Sequence, residues 1–403
     1  MEALSKMELQ QQSLQGNKLS LEPARNANID SIRGLAVLGI LFINIYFFGN
    51  GYLGYADHES VPLHDTLTML FSNFFLEGRF ISLFSILFGV GLAIQYDKLS
   101  TQGGDAYKAM KSRLKWLLLF GAIHAVFIWY GDILFTYALG GFVALCYLKL
   151  DNRKLIKKSV MFITIPLFLM TIISLFAPEE PIIRGTALFE EDVSIWSAAY
   201  SEQLMMQFII FVGLLFITPF TTMWMAAGLM LLGVMLYRKG VFEKGFSQKQ
   251  LVVFALSTLL LSAVDSLCSL AADPKLVSLS ITIVMASAIP MALIYLHLAV
   301  KLCQNRANVL APLQKVGRLA FSLYILQSVC GVLLFRHFAP TLTSTLDRPE
   351  YMLIAIGFSI FQVMLASIYL KYFNQGPLEW LWRRLASQKP INPESTPIAA
   401  TDS

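Results

Sequence analysis

The sequence predicts an all-α polytopic membrane protein, and three observations carry this prediction. Of its 403 residues, 56% are hydrophobic and only 14% are charged, whereas soluble domains carry about 25% charged residues. The mean hydropathy is +0.62. Apolar stretches of about 20 residues, the length that crosses a bilayer as a helix, recur along the chain. We therefore expect about ten transmembrane helices packed into one domain.

Ten apolar stretches mark these expected helices. They lie at roughly 31–49, 80–96, 114–131, 133–149, 159–177, 218–237, 250–271, 276–300, 317–336 and 351–372. Residues 200–217 are also apolar, but an eleventh crossing there would invert the basic loop at Arg238. We expect an interfacial or re-entrant helix instead, broken from the next one at Pro219. A similar helix on the outer face is expected over 62–77.

The loop charges predict the orientation of the chain. Basic residues fall in alternate loops, for example at Lys108, Lys111 and Arg113, at Lys149, Arg153, Lys154, Lys157 and Lys158, and at Arg238, Lys239, Lys244, Lys301, Arg306, Lys315, Arg318, Arg383 and Arg384. The intervening loops are neutral or acidic. By the positive-inside rule, both termini are expected in the cytoplasm. Residues 1–27 and 386–403 are polar and are predicted to be disordered tails around a transmembrane domain at 28–385, with no cleavable signal.

Composition and motifs exclude several classes of protein. The four cysteines lie in or beside apolar stretches without metal-type spacing, which is typical of small core residues. No Walker, CxxC or HExxH motif occurs, so neither a soluble cofactor domain nor a metal is expected. The net charge of +5 follows from loop placement, and no nucleic-acid partner is expected.

The first apolar stretch carries polar residues near both of its ends. Asp30 and Arg33 are spaced i and i+3, so they share a helix face and can form an ion pair. Asn44 would lie about 21 Å beyond Asp30 along a helix. Its amide needs a hydrogen-bond partner there, because lipid offers none. The structural alternative is an ion pair at the start of the helix and an interhelical hydrogen bond at its end.

His124 and Asp132 are the main candidates for catalysis. His124 lies within an apolar stretch, where ionisable groups often mark functional sites. Asp132 follows eight positions later, so the two would share a face if Gly131 did not break the helix. The structural alternative is a histidine bonded to a carbonyl group and an aspartate that caps the next helix.

Five further residues are candidates for binding a substrate or donor. Arg79 and Arg113 stand at the ends of apolar stretches, where an arginine can bind an anion or simply reach the headgroups. Arg318 opens a segment that contains Tyr324 and Gln327, whose polar atoms need internal partners within the membrane. An amphipathic segment at 376–383 is interpreted as a membrane anchor.

Several segments resemble a known family. These are Asp30-x-x-Arg33-Gly34 with its following apolar run, Gly121-x-x-His124 followed by residues 131–134, the stretch 317–328, and 376–383. They resemble the YeiB-like family of bacterial membrane proteins, a domain of unknown function related to heparan-α-glucosaminide N-acetyltransferase in the transmembrane acyltransferase superfamily. The resemblance covers roughly residues 25 to 385.

This resemblance implies acyl transfer from a cytoplasmic acyl-CoA such as acetyl-CoA to a glycan, lipid or small amine or hydroxyl acceptor. Asp30 and Arg33 would organise the donor entrance, and His124 with Asp132 would act as general base or acyl carrier. Asn44, Tyr324 and Gln327 would line the site. In the related acetyltransferases a histidine soon after the first helix receives the acetyl group, but neither His58 nor His64 has the matching spacing.

Two other functions remain open from the sequence. A transporter would use the same polar residues as a substrate path, with His124 and Asp132 relaying protons. A membrane scaffold would use none of them chemically. In each case we expect a location in the inner membrane of a bacterium, in contact with membrane lipid, and the glycine- and serine-rich helices allow a homodimer.

Overall fold

The computed structural model describes residues 27–51, 54–176, 182–271, 273–305 and 309–387. Almost all of both predicted tails, 1–27 and 386–403, lies outside these ranges. Across the described ranges the chain is helical, apart from an isolated bridge between Asp57 and Ile183 and the connecting turns. The predicted all-α polytopic fold is confirmed.

We number the α-helices in chain order. They are α1 (Ala27–Asn44), α2 (Leu63–Phe75), α3 (Arg79–Thr101), α4 (Ala106–Phe127), α5 (Leu134–Tyr147), α6 (Asn152–Phe176), α7 (Ala187–Ser197), α8 (Tyr200–Ile217), α9 (Thr222–Arg238), α10 (Val241–Lys244), α11 (Gln248–Ser269), α12 (Pro274–Asn305), α13 (Ala311–Arg318), α14 (Ala320–Val332), α15 (Leu342–Thr345), α16 (Arg348–Tyr372) and α17 (Pro377–Ala386). A π-helical segment, Leu333–Phe338, continues α14.

Each of the ten predicted apolar stretches lies on helical structure. In the described ranges eight segments are long and apolar enough to cross a membrane, and these include α1, α3, α6, α8, α11, α12, α14 and α16. The predicted stretches at 133–149 and 218–237 form the shorter apolar helices α5 and α9. The stretch at 114–131 belongs to α4. This helix begins before the predicted start, at Ala106 among basic residues, and ends before the predicted end, at Phe127.

Residues 200–217 form a helix with the expected break at Pro219, but their length and hydropathy also allow a crossing. The regular helix does end at Ile217, and Pro219 lies in a 3₁₀ turn before α9. However, Tyr200–Phe220 has the length and hydropathy of a crossing helix, with most of its side chains exposed. The length of α8 therefore does not by itself require an interfacial or re-entrant position. A helix is present over the expected range 62–77, as α2.

Helix α1 is central to the fold because α3, α12, α13 and α16 pack around it. Its contact with α13 depends on two glycines. A Cβ atom on Gly34 would lie 2.0 Å from the carbonyl oxygen of Leu313, and one on Gly317 would lie 1.9 Å from that of Asp30. No larger residue fits at either position, since the two backbones touch there. This contact places the start of α1 beside Arg318.

Candidate active site

A hydrogen-bonded His124–Asp132 pair is buried where α4 turns into α5. Helix α4 ends at Phe127, and the backbone N–H groups of Ile128 and Trp129 both donate to the carbonyl oxygen of His124. The chain then turns back, so that Nδ1 of His124 lies 2.8 Å from Oδ1 of Asp132. Both side chains are 1% exposed. The helix thus breaks before Gly131, and the turn makes the contact that a continuous helix was expected to make.

Asp132 contacts His124 and also caps the next helix. Its Oδ1 contacts His124, while its Oδ2 accepts a hydrogen bond of 2.6 Å from the backbone N–H of Phe135, in the first turn of α5. A carboxylate held at two points has a fixed orientation. It therefore fixes the orientation of the imidazole as well.

The second nitrogen of His124 is left available for chemistry. A hydrogen bond from the Nδ1–H group to Asp132 favours the tautomer that carries a lone pair on Nε2. That Nε2 is buried, and no residue in the described ranges hydrogen-bonds to it. The ring packs against Tyr324, with centroids 5.4 Å apart, and against Trp129. A buried polar atom without a partner is costly unless it serves a ligand or a reaction.

Gly121 permits this arrangement. A Cβ atom at this position would lie 2.3 Å from the backbone nitrogen of Phe135 and 2.9 Å from Oδ2 of Asp132. The turn after α4 can lie against α4 only because residue 121 has no side chain. The Gly-x-x-His spacing noted in the sequence is thus explained by packing.

A cavity of about 240 Å³ extends from the basic end of the molecule towards this pair. Its walls come from α1, α3, α4, α5, α13, α14 and α17 and are mainly apolar and aromatic. They include Val37, Ile40, Phe84, Leu87, Phe88, Leu92, Met110, Leu114, Leu117, Leu134 and Phe321. Tyr324 lines the cavity and also contacts His124. The Tyr324 hydroxyl lies 3.3 Å from the backbone nitrogen of Ile133 in the turn.

Arginines surround the basic end of the cavity. The lining includes Arg33, Arg113, Arg318 and Arg383, with Glu379 as the acidic residue among them. The Arg33 Nη1 lies 2.9 Å from Oδ1 of Asp30, as predicted from their spacing. The guanidinium of Arg113 stacks on Trp382, 5.0 Å from the ring centre. Such a group of guanidinium ions favours an anionic ligand.

Helix α17 closes this part of the cavity. The indole N–H of Trp382 donates to the carbonyl oxygen of Arg113 at 2.9 Å. Glu379 accepts hydrogen bonds from the backbone N–H groups of Phe321 and Ser322 and from the Ser322 hydroxyl. Segment 376–383 was interpreted as an anchor, but it also contributes Glu379, Trp382 and Arg383 to the cavity wall. That interpretation was incomplete.

Three predicted site residues lie elsewhere. Gln327 is buried away from the cavity, where its Nε2 donates to Gln362 at 2.8 Å and to the Val37 carbonyl oxygen at 3.1 Å. Arg79 is fully buried and donates to Ser262 and Ser287, so it joins α3 to α11 and α12. Asn44 is buried at the end of α1 and is not part of the cavity lining. Their positions support structural roles.

The sequence analysis missed Glu379 and Arg383 as site residues. Both lie in a short amphipathic helix far along the chain from the other cavity residues. The signal that could have indicated them is the pair Ser322 and Glu379, since a hydroxyl in an apolar helix needs a partner. Nothing in their spacing shows that α17 folds back against α4.

Fold and site together define a class: a polytopic helical membrane protein with a buried histidine–aspartate pair beside an arginine-lined cavity.

The family described as "Protein of unknown function (DUF418)" matches residues 236–389. The uncharacterized proteins YxaH of Bacillus subtilis and YeiB of Escherichia coli are each 28% identical to the chain. Each alignment covers 90% of this chain and 96% of the relative. An uncharacterized 39.9 kDa protein of Bacillus acidopullulyticus is 27% identical over 90% of this chain and 93% of its own. The family match and these relatives together support a YeiB-like family of unknown function.

Proposed function

We propose that this protein is a transmembrane acyltransferase. It transfers an acyl group, such as acetyl, from a cytoplasmic acyl-CoA to a hydroxyl or amine acceptor. The observation that carries this proposal is the His124–Asp132 pair. Its imidazole packs against Tyr324, which lines the arginine-lined cavity, and no residue in the described ranges hydrogen-bonds to its Nε2.

The cavity suits the donor in both charge and shape. Guanidinium groups bind phosphate oxygens through paired hydrogen bonds, and Arg33, Arg113, Arg318 and Arg383 supply four of them. Drug-sized ligands occupy pockets of roughly 300–1,000 Å³, so about 240 Å³ suits the acyl-bearing arm of the donor better than its nucleotide. The nucleotide phosphates would lie among the arginines, and the thioester would point towards Tyr324.

The pair supplies general base catalysis. Nε2 of His124 takes the proton from the acceptor hydroxyl or amine as its oxygen or nitrogen attacks the thioester carbonyl carbon. The carbon–sulfur bond breaks, and the imidazolium returns the proton to the departing thiolate. Asp132 holds the required tautomer, and the Tyr324 hydroxyl, which contacts the Gly131 carbonyl oxygen, would donate instead to the developing oxyanion. A positioned base of this kind contributes roughly 10²–10⁴-fold to a rate.

The position of the cavity sets the direction of the reaction. The arginines belong to the basic end of the molecule, which the positive-inside rule places in the cytoplasm. His124 lies eleven residues beyond Arg113 on α4, or about 16 Å deeper. A lipid, glycan or small amine would therefore meet the acyl group within the membrane. The bacterial relatives favour the inner membrane as the location.

Binding of the donor is the first step to test. In purified protein, CoA and acetyl-CoA should raise the apparent unfolding temperature in proportion to their occupancy. Arg383→Ala should reduce this shift, because Arg383 lines the cavity. Arg384→Ala is the matched control, since this exposed neighbour stacks on Trp380 instead. His124→Ala should retain the shift and lose the transfer of labelled acetyl groups.

The absence of any shift at millimolar CoA would contradict the proposal. So would an equal effect of the Arg383 and Arg384 variants. If CoA does not bind, but the protein reconstituted in vesicles moves a solute in a pH-dependent way that requires His124, the transporter is the better explanation.

A further inference from the structure

A second cluster of chemically active side chains lies at the opposite end of the molecule from the arginines. His58 comes from the loop after α1, His64 and Asp65 from the first turn of α2, and Asp347 from the residue before α16. The proposed acyl transfer uses none of these four residues. Three separate segments of the chain bring them together.

Three of the four side chains meet at one point, and the fourth, His64, lies against two of them, Asp347 and Asp65. Nε2 of His58 lies 2.8 Å from Oδ1 of Asp347, and Nε2 of His64 lies 2.9 Å from Oδ2 of the same carboxylate. The same nitrogen of His64 is 3.8 Å from Oδ1 of Asp65. Ligand atoms of His58, Asp65 and Asp347 all lie within 4.8 Å of one another.

Asp65 is held in place by its surroundings. Its side chain is 0% exposed. Its Oδ2 accepts a hydrogen bond of 2.5 Å from the Tyr55 hydroxyl, and its Oδ1 accepts one of 2.9 Å from the backbone N–H of Arg348. Hydrogen bonds of this kind orient the carboxylate ligands of metal sites. A buried carboxylate beside two imidazoles is an unusual arrangement for a solvated loop.

The two nearby arginines leave the cluster with acidic character. Nη1 of Arg184 is 3.8 Å from Oδ1 of Asp347, but its guanidinium donates to the carbonyl oxygens of Ala56, Ser344 and Leu346. Arg348 pairs with Asp57 at 3.0 Å. The carboxylates of Asp65 and Asp347 therefore face one guanidinium, that of Arg184, and this excess of carboxylate favours a cation.

We propose that His58, His64, Asp65 and Asp347 bind a divalent transition-metal ion of the zinc type. Two imidazole nitrogens and two carboxylate oxygens are a donor set that Zn²⁺ accepts in tetrahedral geometry, at about 2.0–2.2 Å from each ligand. Ligand atoms then stand ~3.4 Å apart, so the two His–Asp347 contacts need to open only slightly. The ion would join the loop after α1, helix α2 and the start of α16.

Metal binding can be measured directly on the full-length protein in detergent after treatment with a chelator. Titration with Zn²⁺ against a chromogenic chelator should show one ion per chain, and Co²⁺ should give the visible absorption of a four-coordinate site. His58→Ala and His64→Ala should each weaken binding roughly tenfold or more. His337→Ala is the matched control, because His337 is an exposed histidine outside the cluster.

A milder variant separates metal binding from folding. Tyr55→Phe keeps every ligand and removes only the hydroxyl that orients Asp65, so it should weaken Zn²⁺ binding by roughly tenfold. Size-exclusion profiles identify variants that fail to fold. The proposal is overturned if the wild-type protein binds less than one ion at micromolar Zn²⁺. It is equally overturned if well-folded His58 and His64 variants bind as tightly as the His337 variant.

Discussion

Nδ1 of His124 lies 2.8 Å from Oδ1 of Asp132, in a turn where both side chains are buried. The second carboxylate oxygen of Asp132 caps α5 through the N–H of Phe135. One side chain thus links the end of a helix, the start of the next and the orientation of an imidazole. This relationship makes the local structure and the proposed chemistry testable with the same variants.

Asp132→Asn should abolish most acyl transfer while preserving the fold. An amide can still accept the hydrogen bond from Phe135, but its N–H group facing Nδ1 would place the histidine proton on Nε2, which removes the base. We expect transfer to fall by roughly 10²–10⁴-fold, with stabilisation by CoA unchanged. Turnover of labelled acetyl-CoA is the measurement. A variant with normal turnover would rule out the proposed role of the pair.

Gly121→Ala should destabilise the protein. The added methyl group would lie 2.3 Å from the Phe135 nitrogen, so the turn must move away from α4 at a cost of about 1–3 kcal/mol. The apparent unfolding temperature in detergent should fall, and activity should fall with it. Gly213→Ala is the control, because nothing lies within 4 Å of the added Cβ atom in α8. Equal changes in the two variants would contradict this packing.

Gln327→Leu should weaken the fold without weakening CoA binding. Its amide bonds to Gln362, in α16, rather than to the cavity, and interhelical hydrogen bonds within membranes contribute about 0.6–2 kcal/mol. Combining it with Gln362→Leu in a double-mutant cycle should recover a coupling energy of that size. A large loss of stabilisation by CoA in Gln327→Leu would instead support the lining role predicted from the sequence.

The stability of the protein should depend on Asp347 at acidic pH. Hydrogen bonds from His58 and His64 lower the pKa of Asp347 from its usual value, which is about 3.9 in unfolded chains. Its ionised form therefore stabilises the fold fully above that value, and the contribution is lost as the pH falls through the lower folded pKa. With a chelator present, unfolding temperatures between pH 6 and pH 3 should fall less steeply in Asp347→Asn.

Glu59→Gln is the control for this experiment, since Glu59 is exposed in the same loop as His58. It should retain the wild-type dependence on pH. If Asp347→Asn and the wild type give parallel curves, the contacts with the two histidines do not contribute to stability in solution.

Much of the architecture could be predicted from the sequence because lipid imposes a local rule. Every crossing segment must be a helix of sufficient length, and all ten predicted stretches lie on helices. For residues 200–217, loop charge predicts an interfacial or re-entrant helix, while length and hydropathy alone would also allow a crossing. The Asp30–Arg33 contact was also predictable, because i and i+3 positions meet on any helix.

Other features could not be read from spacing along one helix. Arg79 and Gln327 looked similar to Arg113 and Tyr324 in the sequence, yet the first two bond to neighbouring helices and the last two line the cavity. The difference arises from which helix faces which.

The sequence by itself determined the membrane-spanning helices, their approximate ends and the presence of ionisable groups among them, because hydrophobic length and charge act locally. Only the tertiary structure decided which of those groups meet. The paired glycines of α1 and α13, the turn at Gly121 and the return of α17 against α4 assemble the arginines, Tyr324 and the His124–Asp132 pair. These contacts join residues far apart in the sequence, such as Asp30 with Gly317 and Arg113 with Trp382. Their energy depends on packing between helices rather than on any pattern within one helix.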